Sequence, residues 1–175
     1  MTDVVLRDLS ASELSGPEAR ELLRLATEFD DAGLDWVVSD VLPRLTVLAA
    51  IDDGVPVALA AYAPSAPAPG PARPAGPEPE PQPEPATIEY LATAGARRRT
   101  GLAGALIAEI RRRHPRAAVR ASTDDDAIGF YRATGFLDRP APADPRWPGR
   151  RRYDCVLSPG PTDLDAEVNR SRQGD

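Results

Sequence analysis

The stretch from Leu91 to Ile107 reads Leu-Ala-Thr-Ala-Gly-Ala-Arg-Arg-Arg-Thr-Gly-Leu-Ala-Gly-Ala-Leu-Ile. This pattern is typical of a strand that turns through a basic, glycine-containing loop directly into a helix. The first backbone N–H groups of such a helix have no partner within it, and the helix dipole adds positive potential there. Gly101 and Gly104 have no side chains to keep a ligand away from the backbone, and arginines 97–99 add charge at the loop mouth. The stretch therefore predicts a cradle for an anion such as a pyrophosphate.

The two glycines also have a purely structural interpretation, because small residues at a helix start allow the helix to pack closely on a sheet. Other glycine loops fit the stretch less well. The P-loop pattern Gly-x-x-x-x-Gly-Lys-Ser/Thr is absent, and so is the dinucleotide-binding spacing Gly-x-Gly-x-x-Gly.

Two motifs resemble those of a known family. Residues 98–103, Arg-Arg-Thr-Gly-Leu-Ala, fit Gln/Arg-x-x-Gly-x-Gly/Ala, which resembles the acetyl-coenzyme A signature of the GNAT family of N-acetyltransferases. Residues 124–136, Asp-Asp-Asp-Ala-Ile-Gly-Phe-Tyr-Arg-Ala-Thr-Gly-Phe, resemble the family's second hallmark, Asn-x-x-Ala-x-x-Phe-Tyr-x-x-x-Gly-Phe. The motifs occur in the family's order, and the resemblance covers roughly residues 87–157.

The resemblance implies an α/β (α+β) fold, with a mixed, mostly antiparallel sheet of about seven strands and helices on both faces. We expect one domain over residues 1–157, interrupted by a proline-rich disordered insertion over 64–86 and followed by a disordered tail over 158–175. The insertion holds ten of the chain's 20 prolines, which are incompatible with helix interiors and central strands. It lies where the family makes a tight hairpin.

Turn and cap signals predict the elements of the first half. Asp52-Asp53-Gly54 joins two apolar, β-branched runs and indicates a hairpin. Ser15-Gly16-Pro17 predicts a helix start, Gly33 its end, and residues 36–42 a second short helix.

The resemblance assigns the coenzyme contacts residue by residue. Backbone groups of Leu91 and Thr93 are expected to bind the pantetheine arm. The pyrophosphate is expected to bind at the loop and helix start, formed by Arg98, Arg99, Thr100, Gly101, Leu102, Ala103 and Gly104. Asp124 is also expected to bind the coenzyme, at the pantetheine. It stands where the family usually has Asn, and a carboxylate accepts hydrogen bonds but cannot donate them. Its remaining role would be to cap the helix that carries Tyr131.

Two residues are expected to do the chemistry. Tyr131 occupies the family's acid position and could protonate the coenzyme sulfur; the alternative is a core aromatic packed beside Phe130. Glu89 is the expected general base, because a carboxylate in a cleft between strands would be partly desolvated and more basic. Its alternative is an edge-strand acid that faces solvent. Strict alternation along this strand would place Ile88 and Tyr90 on the face opposite Glu89.

The acceptor site is expected near the first two helices, by resemblance. The residues there that could contact a cationic acceptor are Glu28, Asp30, Asp31, Asp35 and Trp36; the alternative is that these acids are simply solvated.

The expected function is transfer of an acetyl group from acetyl-coenzyme A to a primary amine, by direct attack in a ternary complex. The alternative is a non-catalytic domain that binds an acyl-coenzyme A as a sensor or partner. The acceptor would be a small molecule or a peptide amine, and a homodimer is compatible with the family.

Composition sets further limits. The net charge of −6 argues against general nucleic-acid binding, and the single Cys155 excludes an internal disulfide. No metal is implied, since His114 is the only histidine. The start lacks a signal peptide and no run is long enough to span a membrane, so a cytoplasmic location is expected. The absence of lysine and the abundance of Ala and Pro suggest a GC-rich bacterial source.

Overall fold

Seven strands form a single sheet in the order β1-β2-β3-β4-β5-β7-β6. The structure is a computed structural model that describes residues 4–66, 83–145 and 148–160. Every neighbouring pair of strands is antiparallel except β4 and β5, which are parallel. The strands are β1 (Val5–Asp8), β2 (Thr46–Asp52), β3 (Val55–Ala63), β4 (Ala86–Thr93), β5 (Val119–Asp124), β6 (Leu137–Ala141) and β7 (Arg152–Leu157).

Within the described ranges, five α-helices accompany the sheet: α1 (Ala11–Leu14), α2 (Pro17–Thr27), α3 (Asp31–Trp36), α4 (Leu102–Arg113) and α5 (Ile128–Ala133). A π-helical turn over Val37–Val41 and a 3-10 turn over Leu42–Arg44 continue from α3, and another 3-10 turn, Gly95–Arg97, follows β4.

Helices cover both faces of the sheet. On one face, the buried Leu22 and Leu23 of α2 and Leu34 of α3 pack against β2 and β3. On the other face, Leu106 and Ile110 of α4 are fully buried in a second core that also includes α5. The predicted fold class, a mixed and mostly antiparallel seven-stranded sheet with helices on both faces, is confirmed.

The predicted hairpin between β2 and β3 is confirmed. Asp53 and Gly54 both have positive φ, 49° and 80°, as a two-residue type I′ turn requires. Such a turn matches the twist of the two strands, so the turn residues alone were sufficient to predict the hairpin.

The prediction for the first helix was wrong at its end. Helix α2 ends at Thr27, because Glu28 adopts a left-handed conformation (φ 57°) as its C-cap. Gly33 instead lies inside α3. Asp30 is the N-cap of this helix, and its side chain accepts a hydrogen bond from the Gly33 N–H at 2.9 Å. A Cβ at Gly33 would lie 2.9 Å from Phe29 Cβ, so glycine is needed here for close packing.

The prediction that side chains along β4 alternate strictly between the two faces of the sheet was also wrong. The register with β3 shifts between Ala61, which pairs with Tyr90, and Tyr62, which pairs with Ile88. Glu89 is therefore the extra residue of a β-bulge. The bulge places Ile88 and Tyr90 in the cores on opposite faces of the sheet.

Most of the expected insertion and tail, residues 67–82 and 161–175, lies outside the described residues. Strand β4 begins at the buried Ala86, one residue earlier than expected. Among the helices in the described ranges, none has the length and apolar character to cross a membrane. Nor does this part of the chain contain a group of three or more His, Cys, Asp or Glu residues arranged to hold a metal ion.

Candidate active site

A cleft opens in the sheet where β4 and β5 separate. The two strands pair over only three positions, from Ala86 with Val119 to Ile88 with Ala121, and then diverge. The opening has a volume of about 980 Å³. Its walls are the second half of β4, the end of β5, the first turn of α4, the end of α2 and part of α5. A sheet split in this way exposes strand edges to a ligand, while the helices on both faces keep the walls rigid.

The start of α4 lies on one wall of this cleft. Gly101 is its N-cap, with φ 85°, and the first intrahelical hydrogen bond runs from the Ala105 N–H to the Gly101 carbonyl at 2.9 Å. The N–H groups of residues 102–104 precede that bond, so they have no partner in the helix. A Cβ built at Gly101 or Gly104 would meet no atom within 4 Å. Close helix packing therefore explains neither glycine. The positive φ of Gly101 itself favours glycine, whereas Gly104 is helical, and both line the open cleft.

The basic loop before α4 is fixed to the sheet at one end. Arg97 forms an ion pair of 2.6 Å with Asp52 at the β2–β3 turn. Arg98 and Arg99 are exposed and line the cleft. Thr100 does not line it; its hydroxyl donates to the Arg97 carbonyl at 2.6 Å and so holds the loop. All three arginines of the loop therefore line the cleft, with Arg97 paired to Asp52, and Thr100 has a structural contact.

Strand β4 supplies the opposite wall. Leu91 and Thr93 line the cleft, as does Glu89 at the bulge. The Glu89 side chain is exposed, so the desolvation expected from the sequence is not present. Its role as a general base stays a prediction.

Tyr131 reaches the cleft from α5 and is only 6% exposed. Its ring packs edge-on against Phe130 and Phe136, with centroids 5.3 and 5.1 Å away. Burial raises the pKa of Tyr131, the nearby Cys155 adds to the rise, and the positive charge of Arg152 opposes it. The hydroxyl therefore remains protonated at neutral pH. The ring is part of the core, as the structural interpretation expects, and it also lines the cleft; the acid role stays a prediction.

Asp124 lines the cleft but does not cap α5. Its Oδ1 accepts from the Asp126 N–H at 3.1 Å, and α5 begins after Ala127 without a side-chain cap. Its Oδ2 lies 3.1 Å from Arg150 Nη1, and Arg150 Nη2 lies 3.1 Å from Glu28 Oε2. Arg150 thus connects the end of β5 with the end of α2, and all three side chains line the cleft.

The five residues proposed for the acceptor site divide into two groups. Glu28 and Trp36 line the cleft. The other three have structural contacts: Asp30 caps α3, Asp31 pairs with Arg24 at 2.6 Å, and Asp35 pairs with Arg20 at 2.8 Å. Sequence reasoning missed the bridging role of Arg150, because its partners are distant in the chain.

Comparison with known proteins agrees with this architecture. The model of the Acetyltransferase (GNAT) family matches residues 6–136. Among solved structures, a GNAT-family protein from Desulfovibrio desulfuricans has a TM-score of 0.62 and 18% identity, covering 89% of this chain and 99% of its own. The comparison with curated proteins gives no significant match.

Two further structures have the same fold. The ribosomal-protein-S18-alanine N-acetyltransferase from Escherichia coli has a TM-score of 0.60 and 18% identity, covering 89% of this chain and 93% of its own. A GNAT acetyltransferase from Elizabethkingia anophelis with acetyl-coenzyme A bound has a TM-score of 0.56 and 15% identity, covering 88% and 95%. The likeness to these structures shows the fold. The chain belongs to the GNAT acetyltransferase family.

Proposed function

We propose that this protein transfers an acetyl group from acetyl-coenzyme A to a primary amine, by direct attack in a ternary complex. The observation that carries the proposal is the pair of glycines, Gly101 and Gly104, whose missing side chains face the open cleft at a helix N-terminus. Backbone N–H groups and the helix dipole there suit a pyrophosphate. The structural neighbour with acetyl-coenzyme A bound supports the choice of donor.

Coenzyme binding would use the two walls of the cleft. The pyrophosphate would lie against residues 101–104, with Arg98 and Arg99 adding positive charge at the loop. Thr100 would act indirectly, by holding the loop through its hydrogen bond to Arg97. The pantetheine arm would pair with the exposed backbone of β4 at Leu91 and Thr93, as an added strand would.

Transfer would proceed by one addition and one elimination. The neutral amine attacks the thioester carbonyl, a C–N bond forms, and a backbone N–H of β4 stabilises the oxyanion. The C–S bond then breaks as Tyr131 donates its proton to the departing thiolate. Glu89 takes the proton of the amine, directly or through water. Tyr131 lines the cleft and holds its proton at neutral pH, and the burial that raises its pKa also makes it a weaker acid.

Calorimetric titration with acetyl-coenzyme A tests the donor site. We expect binding by the wild type and none by Gly101→Glu, whose side chain would place a carboxylate in the cradle. Circular dichroism of the variant controls for folding, since positive φ at Gly101 makes any other residue somewhat unfavourable. A folded wild type that does not bind acetyl-coenzyme A would disprove the donor.

One observation keeps the non-catalytic alternative open: Asp124 replaces the expected Asn and is engaged by Arg150. Turnover distinguishes the two functions. For an enzyme, Tyr131→Phe and Glu89→Gln would lower the rate of amine acetylation while acetyl-coenzyme A still binds. For a sensor, the wild type would bind the coenzyme with no acetylation of any amine.

A further inference from the structure

Exposed apolar side chains form the helix-side wall of the cleft. Leu25 is 42% exposed and Trp36 is 54% exposed, and Phe29 lies on the same wall. The described residues include five large hydrophobic side chains classed as exposed, and two of them are in this wall. Large apolar groups left in contact with water inside one cleft indicate a surface that a ligand covers.

Away from the loop that precedes α4, the charged lining of the cleft is mostly acidic. Five arginines line the cleft, and three of them, Arg97, Arg98 and Arg99, belong to that loop, which is assigned to the pyrophosphate. The rest of the lining has four carboxylates, from Glu28, Glu89, Asp124 and Asp126, and two guanidinium groups, from Arg150 and Arg152. Arg150 is shared between two of the carboxylates, and Arg152 donates to the Ser122 hydroxyl at 3.2 Å. The excess negative charge attracts an ammonium group and disfavours a carboxylate close to it.

Arg150 also joins two sides of the cleft. Its guanidinium bonds Glu28 at the end of α2 and Asp124 at the end of β5, with both N–O distances at 3.1 Å. An extended polypeptide that lay across the cleft between these two ends would have to break at least one of the ion pairs, whereas a small molecule would leave both in place.

We propose that the acceptor is a small primary amine that carries an aromatic or long alkyl group and has no carboxylate next to the amine. This inference rests on the proposed acetyl transfer and names its substrate class. The apolar group would lie against Trp36 and Leu25, and the ammonium would enter among the carboxylates before losing its proton to attack the thioester.

Matched acceptors test each part of the proposal with the full-length protein. Phenethylamine has the apolar group and the amine, phenylalanine adds a carboxylate, putrescine lacks the aromatic ring, and a tetrapeptide with an N-terminal alanine represents a polypeptide. We expect kcat/KM for phenethylamine to exceed that for each of the other three by at least about tenfold. Equal or better use of any of the three would overturn the proposal.

Variants connect that preference to the named residues. Trp36→Ala should raise KM for phenethylamine about tenfold and leave KM for acetyl-coenzyme A unchanged, since an exposed ring can be removed without disturbing the core. Leu137→Ala is the matched control, because Leu137 is 74% exposed on β6 and does not line the cleft. An equal effect of both variants, or none of Trp36→Ala, would contradict the role of the wall.

A substitution of Glu28 tests the effect of the negative charge in the cleft. Glu28→Gln removes one carboxylate that pairs with Arg150 and one negative charge from the cleft lining, so a carboxylate on the acceptor meets less repulsion. We expect the preference for phenethylamine over phenylalanine to fall several-fold. An unchanged preference would overturn the role assigned to Glu28.

The outcomes separate this inference from the function on which it rests. Efficient acetylation of putrescine, phenylalanine or the peptide, with phenethylamine poor, would leave the acetyl transfer standing and overturn only the acceptor class. Binding of acetyl-coenzyme A without acetylation of any amine would overturn both.

Discussion

Replacement of Gly104 by alanine shows whether this glycine serves ligand binding or helix packing, because the two roles predict opposite changes in the stability of the fold. Gly104 is the third residue of α4, and a Cβ there would meet no atom within 4 Å. Alanine is favoured over glycine in a helix by about 0.5–1 kcal/mol. We therefore expect the variant to be more stable, with an unfolding midpoint raised by about 1–4 °C for a chain of this length.

Binding should change in the other direction. Gly104 lines the cleft beside the free N–H groups of the first helical turn. A methyl group at this point would hold a phosphate away from the backbone and weaken a charge-assisted hydrogen bond, worth about 1.5–3 kcal/mol. The dissociation constant for acetyl-coenzyme A should rise about 10- to 100-fold.

The assay pairs thermal unfolding without ligand with calorimetric titration of acetyl-coenzyme A. Gly129→Ala is the matched control, because Gly129 is the second residue of α5, also faces open space and does not line the cleft. It should gain similar stability and retain wild-type affinity. A Gly104→Ala protein that is less stable than the wild type, or that binds with unchanged affinity, would refute the reasoning.

Three other variants test separate parts of the structure. Tyr131→Phe keeps the packed ring and removes the hydroxyl, so kcat should fall about 10- to 100-fold with little change in coenzyme affinity, as measured by steady-state kinetics and calorimetry. Gly33→Ala should cost about 1–2 kcal/mol in urea unfolding, because the new Cβ would lie 2.9 Å from Phe29 Cβ; unchanged stability would contradict the close packing. Hydrogen bonds from two arginines of α4 lower the pKa of Glu109 to about 2. Its ion pairs therefore stabilise the fold fully above the pKa of glutamate in the unfolded chain, about 4.3, and this stabilisation is lost as the pH falls towards 2. Glu109→Gln should therefore be less stable than the wild type at pH 7, and this difference should shrink in urea unfolding below the unfolded pKa.

Features with a local cause were predictable from the sequence. The β2–β3 turn depends on residues that tolerate positive φ, as do Asp53 and Gly54. The cradle depends on a strand, a loop and a helix that are consecutive in the chain. Its predicted residues line the cleft, with Thr100 the exception, because the direction of one side chain in a loop has no periodic pattern to reveal it.

Features that depend on contacts between distant residues were not predictable. The bulge at Glu89 arises from a register shift against β3, and nothing in the sequence of β4 alone indicates it. Arg150 bonds Glu28 from 122 residues away, and its neighbours in the sequence are other arginines with different contacts. The end of α2 was missed because Glu28, and not a glycine, adopts the left-handed conformation.

The most direct test of the central claim is a crystal structure of the protein with acetyl-coenzyme A. The account predicts pyrophosphate oxygens within hydrogen-bonding distance of the N–H groups of residues 102–104, the pantetheine between β4 and β5, and the thioester sulfur near the Tyr131 hydroxyl. Coenzyme bound elsewhere on the protein, with the cleft between β4 and β5 empty, would contradict it.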